Sequence, residues 1–393
     1  MSTDLLRKLL GALETELPEA IELRERLHAH PEPSHEEHAT ARLVAEALGA
    51  SGMERAARTG LLARVGPPGD AVVARAELDA LPIGEETGAP SASTNGFMHA
   101  CGHDVHMAAL AALFRAARRI ERSLPKPLVA LYQPSEEAYP SGADLVVREG
   151  ALANRTGAIV AAHVHPEVPW GSVSVEAGPV NASSDNLRIT VEGSGGHGAY
   201  PHRAHDSILA LSHAVVALQS LVSRRLDPTH AAVFSVGWVR AGSAENVIPN
   251  AAEAGGTLRA LEPNDREPLR EMAREIVENT ARAHGCVARV EVTEGEPAMV
   301  NDPALAEAAR SLLPEAGFEL AHAMRSCGSD DFGFYGRLAP TLMLFVGLGG
   351  SPSTPKVPLH HPRFLPPDEA VGAVARAQTV AFVAAALSLD QAS

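Results

Sequence analysis

The chain has 393 residues and a formal net charge of −15 with histidine neutral, so it offers no electrostatic footprint for nucleic acid or an anionic membrane surface. Hydrophobic residues make up 45% and charged residues 21%, an ordinary globular composition, and the length points to two domains rather than one small core. No apolar run approaches the ~20 residues of a membrane span. The N-terminus mixes charge throughout, as an amphipathic helix does and a secretory signal does not. Three widely spaced cysteines, Cys101, Cys286 and Cys327, make no disulfide framework and suit a reducing cytoplasm. The 18 histidines, in a chain only 4% aromatic, invite a metal hypothesis that composition alone cannot decide.

In chain order, residues 4–28 and 38–50 space apolar residues as helices do, with Pro31 and Pro33 breaking the pattern between them. LLARV (61–65) and AVVARAEL (71–78) read as strands, HMAALAALFRAARRI (106–120) as a helix, and PLVALYQ (127–133) and GAIVAAH (157–163) as further strands. Continuous apolar strands separated by helices predict an α/β layer with a mixed, mostly parallel sheet. From about residue 180 the rhythm changes. Residues 186–193 alternate as a half-exposed strand, 206–226 form an amphipathic helix, 230–242 and 251–261 are strands, 266–285 is a helix stopped by Gly285, and 286–295 is a last strand. That βαββαβ order is a ferredoxin-like unit. The expectation is one domain built from residues 1–180 and 294–393, with a smaller α+β domain, 181–293, inserted. In the returning part 304–317 is helical, 341–350 is a buried strand and 368–388 an Ala-rich helix.

Ligands of an open α/β sheet gather outside the carboxyl ends of its strands. There the strand at 71–78 ends in Asp79, the strand at 127–133 runs into Glu136 and Glu137, and the strand at 157–163 ends in His163. The loop MHACGHDVH carries Cys101 and His103, two apart and so on one side of an extended backbone. Thiolate, imidazole and carboxylate together suit zinc, cobalt, nickel or manganese. Of two adjacent glutamates, one can ligate while the other, turned the opposite way, moves protons. A further candidate is PLHHPRF, where Pro358 and Pro362 bracket His360 and His361. Taken singly, each feature has a plainer reading as packing or surface, and His28, His30, His35, His38 and His106 are read as structural or exposed. Convergence at strand ends of one domain sets a metal centre beside that plainer reading without deciding between them.

The ordered motifs go further. MHACGHDVH, preceded by ARAELDALPIGEETG and followed by QPSEE, resembles the dinuclear-metal aminoacylase and carboxypeptidase family, in particular its branch of hippurate hydrolases, auxin-conjugate hydrolases and N-acetyl-diaminopimelate deacetylases. The resemblance runs from LHAHPEPSHEEHATA (27–41) through HVHP (163–166), GSGGHGAYPH (193–202), AENVIPNAAEAGGTLR (244–259) and CGSDDFGFY (327–335) to LHHPRF (359–364). It implies that Cys101, His103, Glu137, His163 and His360 ligate two divalent ions (zinc, manganese, cobalt or nickel), with His360 preferred to His361 because the family pattern is His-x-Pro. It implies Glu136 as general base and Asp79 as the carboxylate that orients the metal-binding region. In the inserted domain it implies His197 as stabiliser of the reacting carbonyl oxygen, with Asn246 and Arg259 near the bound substrate. The same domain would form the contact of a homodimer, or of a higher oligomer, and offer His197 to the partner's site.

The activity so implied is hydrolysis of the amide of an N-acyl amino acid or a similar small conjugate, with Glu136 taking the proton of a metal-activated water. A dipeptidase or carboxypeptidase on the same scaffold would instead cleave a peptide with a free amino group. A non-catalytic binding relative would have lost ligands or Glu136, and all are present. Three departures bear on specificity. Glu77 stands where the family usually has Asp, Asp330 where it usually has Glu, and AYPSGAD (138–144) replaces a Gly-rich run, with Tyr139 and Pro140 stiffening a loop beside the ligands.

Overall fold

The structure is a computed structural model and describes residues 2–152, 156–351 and 356–391. The chain divides into two compact units. The outer unit comprises Met1–Gly178, Val300–Met324 and Phe334–Ser393, and the inner unit Pro179–Met299 and Arg325–Gly333. The sequence predicts 1–180 and 294–393 in the outer domain; the inner unit takes the margins 179–180 and 294–299 and, further along, Arg325–Gly333. Its backbone explains why: the Ala182 N–H donates to the carbonyls of Ser326 at 3.1 Å and Gly328 at 3.0 Å.

The outer unit is built on an eight-stranded sheet in the order Glu54–Ala56, Gly60–Val65, Leu128–Gln133, Ala71–Glu77, Thr156–Pro169, Thr341–Gly349, Ser172–Ser174, Glu319–Leu320. Its four central strands run parallel, and antiparallel pairs lie outside them, so the sheet is mixed and mostly parallel. Ala71–Glu77 and Leu128–Gln133 are buried at every residue, which is why they read as unbroken apolar runs. The expected helix at 4–28 is two, Ser2–Glu14 and Leu17–Ala29, with Pro18 in the first turn of the second, where no intrahelical partner needs its missing N–H. Helix His103–Arg119 is buried from His103 to Ala117 and packs on Leu17–Ala29 and the C-terminal helix Glu369–Gln391. By length and composition Glu369–Asp390 could cross a membrane, against the sequence expectation, but 89% of its apolar window is buried inside the fold. It is a core helix.

The inner unit has a four-stranded antiparallel sheet ordered Ala232–Ala241, Ala251–Ala260, Ser183–Glu192, Val287–Glu294. Helices Ser207–Leu218 and Arg266–Ala283 share its apolar core, which is the ferredoxin-like arrangement. The expected helix at 206–226 stops at Leu218, and a π-helical turn, Leu221–Arg225, follows. Fully buried Asp185 accepts hydrogen bonds from Arg270 at 2.7 and 2.8 Å and from Arg266 at 2.7 and 3.1 Å. Burial would raise its pKa, but the two guanidiniums hold it below the usual carboxylate range.

Candidate metal centre

Parallel strands deliver the acidic residues. Ala71–Glu77 ends two residues before Asp79, and Leu128–Gln133 ends just before Ser135, whose φ of 52° turns the chain into Glu136 and Glu137. His163 arrives differently. Its strand does not end there, as the sequence suggests, but runs on to Pro169. Its pairing with the neighbouring strand stops first, the last pair of that ladder being Arg75 with Ala161.

Cys101 and His103 do not lie on an extended loop. Gly102 takes φ 87°, and His103 is the first residue of its helix. A Cβ on Gly102 would fall 2.5 Å from Val164 Cγ2, so the turn that brings the thiol and the ring together needs glycine. His360 also occupies the left-handed region, at φ 63°, and its N–H donates to the Ala100 carbonyl at 2.9 Å. A non-glycine residue holds such a backbone only where its surroundings impose it.

The donor atoms of Cys101, His103 and His163 lie within 4.8 Å of one another, as do those of Cys101, Glu137 and His360, and those of His103, Glu136 and Glu137. Cys101 Sγ is 3.5 Å from His163 Nε2, His360 Nε2 is 3.2 Å from Glu137 Oε1, and Glu136 Oε2 is 3.9 Å from His103 Nε2. Among the described residues, His360 rather than His361 joins these groups. The donors fit divalent ions on a property of their own. His103 Nε2 and Glu137 Oε1 are buried without a hydrogen bond, which is costly unless something else satisfies them. A thiolate with imidazoles and a carboxylate is a borderline-soft set.

Asp79 organises the set. Its carboxylate accepts the Glu137 N–H at 2.9 Å and the Ser34 hydroxyl at 2.7 Å, while its carbonyl lies 2.9 Å from His103 Nδ1. Burial would raise its pKa, but His103 and these donors hold it below the usual value. For His103 itself burial penalises the charged ring, yet Glu77 and Asp79 outweigh that and push it up to about 10. The same negative field attracts a cation, which must displace that proton to bind. Burial, and then the neighbouring His106, push His163 well below its usual value. Its Nδ1–H donates to the Val164 carbonyl at 2.7 Å, leaving Nε2 with a free lone pair.

His197, Asn246 and Arg259 lie in the inner unit. His197 pairs with Val247 in a short antiparallel ribbon, and the Gly198 N–H donates to the Asn246 carbonyl at 2.8 Å, so the two predicted residues are neighbours. The Ala199 N–H donates to His197 Nδ1 at 3.1 Å. A neutral ring accepting there carries its proton on Nε2 and is a donor on that side. Arg259 donates to the Cys327 carbonyl at 3.0 Å, with Ser329 Oγ at 3.4 Å.

A family model described as peptidase family M20/M25/M40 matches residues 73–381. The chain belongs to that family. It is 34% identical over 361 residues to an N-acetyl-L-cysteine deacetylase of Bacillus subtilis, covering 90% of this chain and 84% of that protein. It is 33% identical over 360 residues to an N-acetyldiaminopimelate deacetylase of Exiguobacterium sibiricum, covering 90% and 95%. Among solved structures it is similar to a dinuclear metal-binding peptidase of the M20 family from Bacillus subtilis, at 30% identity, 95% and 99% coverage and a TM-score of 0.82.

The sequence offers two alternatives for His28 and His106, structural or exposed; both rings are buried, each in a hydrogen-bonded network of this M20 chain. His28 lies 3.0 Å from both Asp104 and Glu85, and Arg24 donates to Asp104 at 2.8 Å, so the residue after His103 is anchored from helix Leu17–Ala29. His106 Nδ1 lies 2.8 Å from Glu77, and its Nε2 accepts the Val164 N–H at 3.0 Å. Glu77 is a hydrogen-bonded partner of Arg75, which with His106 holds it well below the carboxylate range against the opposing effect of burial. The one available signal for His106 is its place three residues after His103, on the same helix face.

Proposed function

We propose that this M20 chain is a metal-dependent amidohydrolase that cleaves the amide bond of N-acyl amino acids. The observation that carries this reading is the convergence of five donors, Cys101, His103, Glu137, His163 and His360, in two overlapping groups that both contain Cys101; these residues would hold divalent ions. Zinc, manganese, cobalt or nickel held there would polarise an amide carbonyl and make water nucleophilic near neutral pH. Glu137 and His360 hold one side of the set and His103 and His163 the other, while Asp79 fixes the Glu137 backbone and the His103 ring. Glu136 takes a proton from the attacking water and delivers it to the leaving amine nitrogen. One water is consumed, and a carboxylate and an amine depart. By the family resemblance His197 would offer its Nε2–H to the carbonyl oxygen as negative charge develops there, and Asn246 and Arg259 would contact the substrate.

The acyl-amino-acid class is supported by the two deacetylases to which the chain is similar. A homodimer through the inner unit is supported by exposed apolar side chains on its outermost strand (Val233, Trp238, Val239) and on helix Ser207–Leu218 (Leu209, Val216). Cytoplasmic placement is supported by three cysteines that form no disulfide among the described residues. The test is to strip metal with chelator, restore manganese, cobalt, nickel or zinc singly, and assay N-acyl amino acids beside dipeptides with free amino termini. Metal-restored cleavage of the acyl amino acids is expected. Turnover that survives complete metal removal refutes the mechanism, and cleavage confined to dipeptides refutes the substrate class.

A further inference from the structure

Four buried residues that no proposed chemical step uses form a chain leading to His163. Arg75 and Glu77 stand two apart on one strand and are hydrogen-bonded to each other. Arg75 Nε donates to Gln133 Oε1 at 2.9 Å, and the same oxygen accepts the Tyr335 hydroxyl at 2.7 Å. Glu77 Oε2 then meets His106 Nδ1 at 2.8 Å, and His106 Nε2 meets the Val164 N–H at 3.0 Å. Arg75, Glu77, His106 and Val164 are each no more than 2% exposed.

The donor count fixes the protons. A backbone N–H can only donate, so His106 Nε2 is the bare nitrogen, and the ring proton sits on Nδ1, given to the Glu77 carboxylate. Both ring nitrogens are therefore committed. The donor atoms of Glu77, His106 and His163 lie close enough to suggest a third ion, but His106 has no lone pair left to give one.

The ladder shows what the ring does instead. Pairing between Ala71–Glu77 and Thr156–Pro169 ends at Arg75 with Ala161, so three residues later the Val164 N–H has no strand to meet on that side. An orphaned buried N–H is rare and costly. His106 Nε2 takes the place of the missing carbonyl. Val164 also accepts the Nδ1–H of His163 at 2.7 Å, and that contact turns His163 Nε2 toward Cys101 Sγ at 3.5 Å.

We propose that His106 is a positioning residue for the ligand His163: it holds Val164 by its N–H, and the Arg75–Glu77 pair keeps its proton on Nδ1 so that Nε2 remains an acceptor. This rests on the proposed assignment of His163 as a ligand, and it is read through metal binding rather than hydrolysis. The experiment is equilibrium dialysis of the full chain against Co²⁺, counting bound metal and recording the thiolate-to-Co²⁺ charge-transfer absorption of Cys101. Wild type is expected to bind two equivalents. His106→Ala and Glu77→Gln should each weaken one equivalent by about 10- to 100-fold, the usual cost of removing a group that orients a ligand, and should alter the charge-transfer band. His106→Gln, which keeps an acceptor oxygen for Val164, should recover part of the loss.

Should His106→Ala fail to fold by circular dichroism, Glu77→Gln decides alone. Folded variants that keep both equivalents at wild-type affinity, with an unchanged band, overturn the proposal. So does a wild type holding three equivalents that falls to two in His106→Ala, since His106 would then be a ligand. If the variants behave as expected while no N-acyl amino acid is cleaved, the positioning role stands and the proposed substrate fails.

Discussion

Raising the pH should selectively loosen the outer unit through His28. This ring is 1% exposed, with Nδ1 3.0 Å from Asp104 Oδ2 and Nε2 3.0 Å from Glu85 Oε1. Burial alone would lower its pKa, but the two carboxylates raise it from 6.5 to about 9. A group whose folded pKa is raised contributes fully below the unfolded value and loses that contribution as pH climbs through the folded one. The window is therefore roughly pH 6.5 to 9. A rise of about 2.5 units, at 1.36 kcal/mol per unit, corresponds to about 3 kcal/mol. The assay compares urea unfolding of wild type and His28→Gln from pH 6 to pH 10, in chelator so that metal affinity adds no pH dependence of its own. Glutamine can still hydrogen-bond both carboxylates but cannot be charged. The gap between the two proteins should narrow by about 3 kcal/mol across the window. Parallel curves would refute the reasoning, because they would mean that the His28 ring is not charged in the fold.

Three further outcomes follow from the geometry. Glu136→Gln should lower kcat/KM by about 10²- to 10⁴-fold, the usual contribution of a general base, with metal content retained; a variant that instead loses metal would show that Glu136 and Glu137 have exchanged roles. His197→Ala should lower kcat by about 10²- to 10³-fold without changing metal content, as loss of one oxyanion donor does, and an unaltered kcat removes His197 from the mechanism. Asp185→Asn should destabilise the inner unit by about 3 kcal/mol, because two guanidiniums lose their buried counter-charge. The wild-type pKa at Asp185 is depressed below 3.8, so its contribution is complete above that value and fades as pH falls through the folded pKa. Melting curves of the two proteins that coincide at neutral pH would contradict this.

Which parts of the centre were legible follows from what each part depends on. Asp79, Glu136 and Glu137 were readable because each follows a strand buried along its whole length, and such strands are unbroken apolar runs whose ends are visible in sequence. The sequence sets His163 at a strand end that the structure places elsewhere, yet its ring joins the donor group with Cys101 and His103. The run GAIVAAH looks complete, but the backbone continues to Pro169 with a less buried pattern, and His163 lies just beyond the last pair with the neighbouring strand. Cys101 and His103 were paired on the premise of an extended loop, whereas the left-handed turn at Gly102 brings them together. Arg325–Gly333 has no periodicity to declare its unit, which its hydrogen bonds to Val180, Ala182 and Arg259 reveal.

The supporting groups were illegible for a different reason. His106 meets Glu77 29 residues away, and His28 meets Asp104 76 residues away, so no local pattern announces either contact. Residue types along a chain name the available donors. Which nitrogen of a histidine carries the proton is decided by the partner on its other side, and only folding supplies that partner. At His163 the partner is the Val164 carbonyl, which leaves Nε2 bare for a cation; at His106 it is the Val164 N–H, which occupies the nitrogen a cation would need. The two rings lie 4.4 Å apart, and the two sides of one residue assign them opposite work.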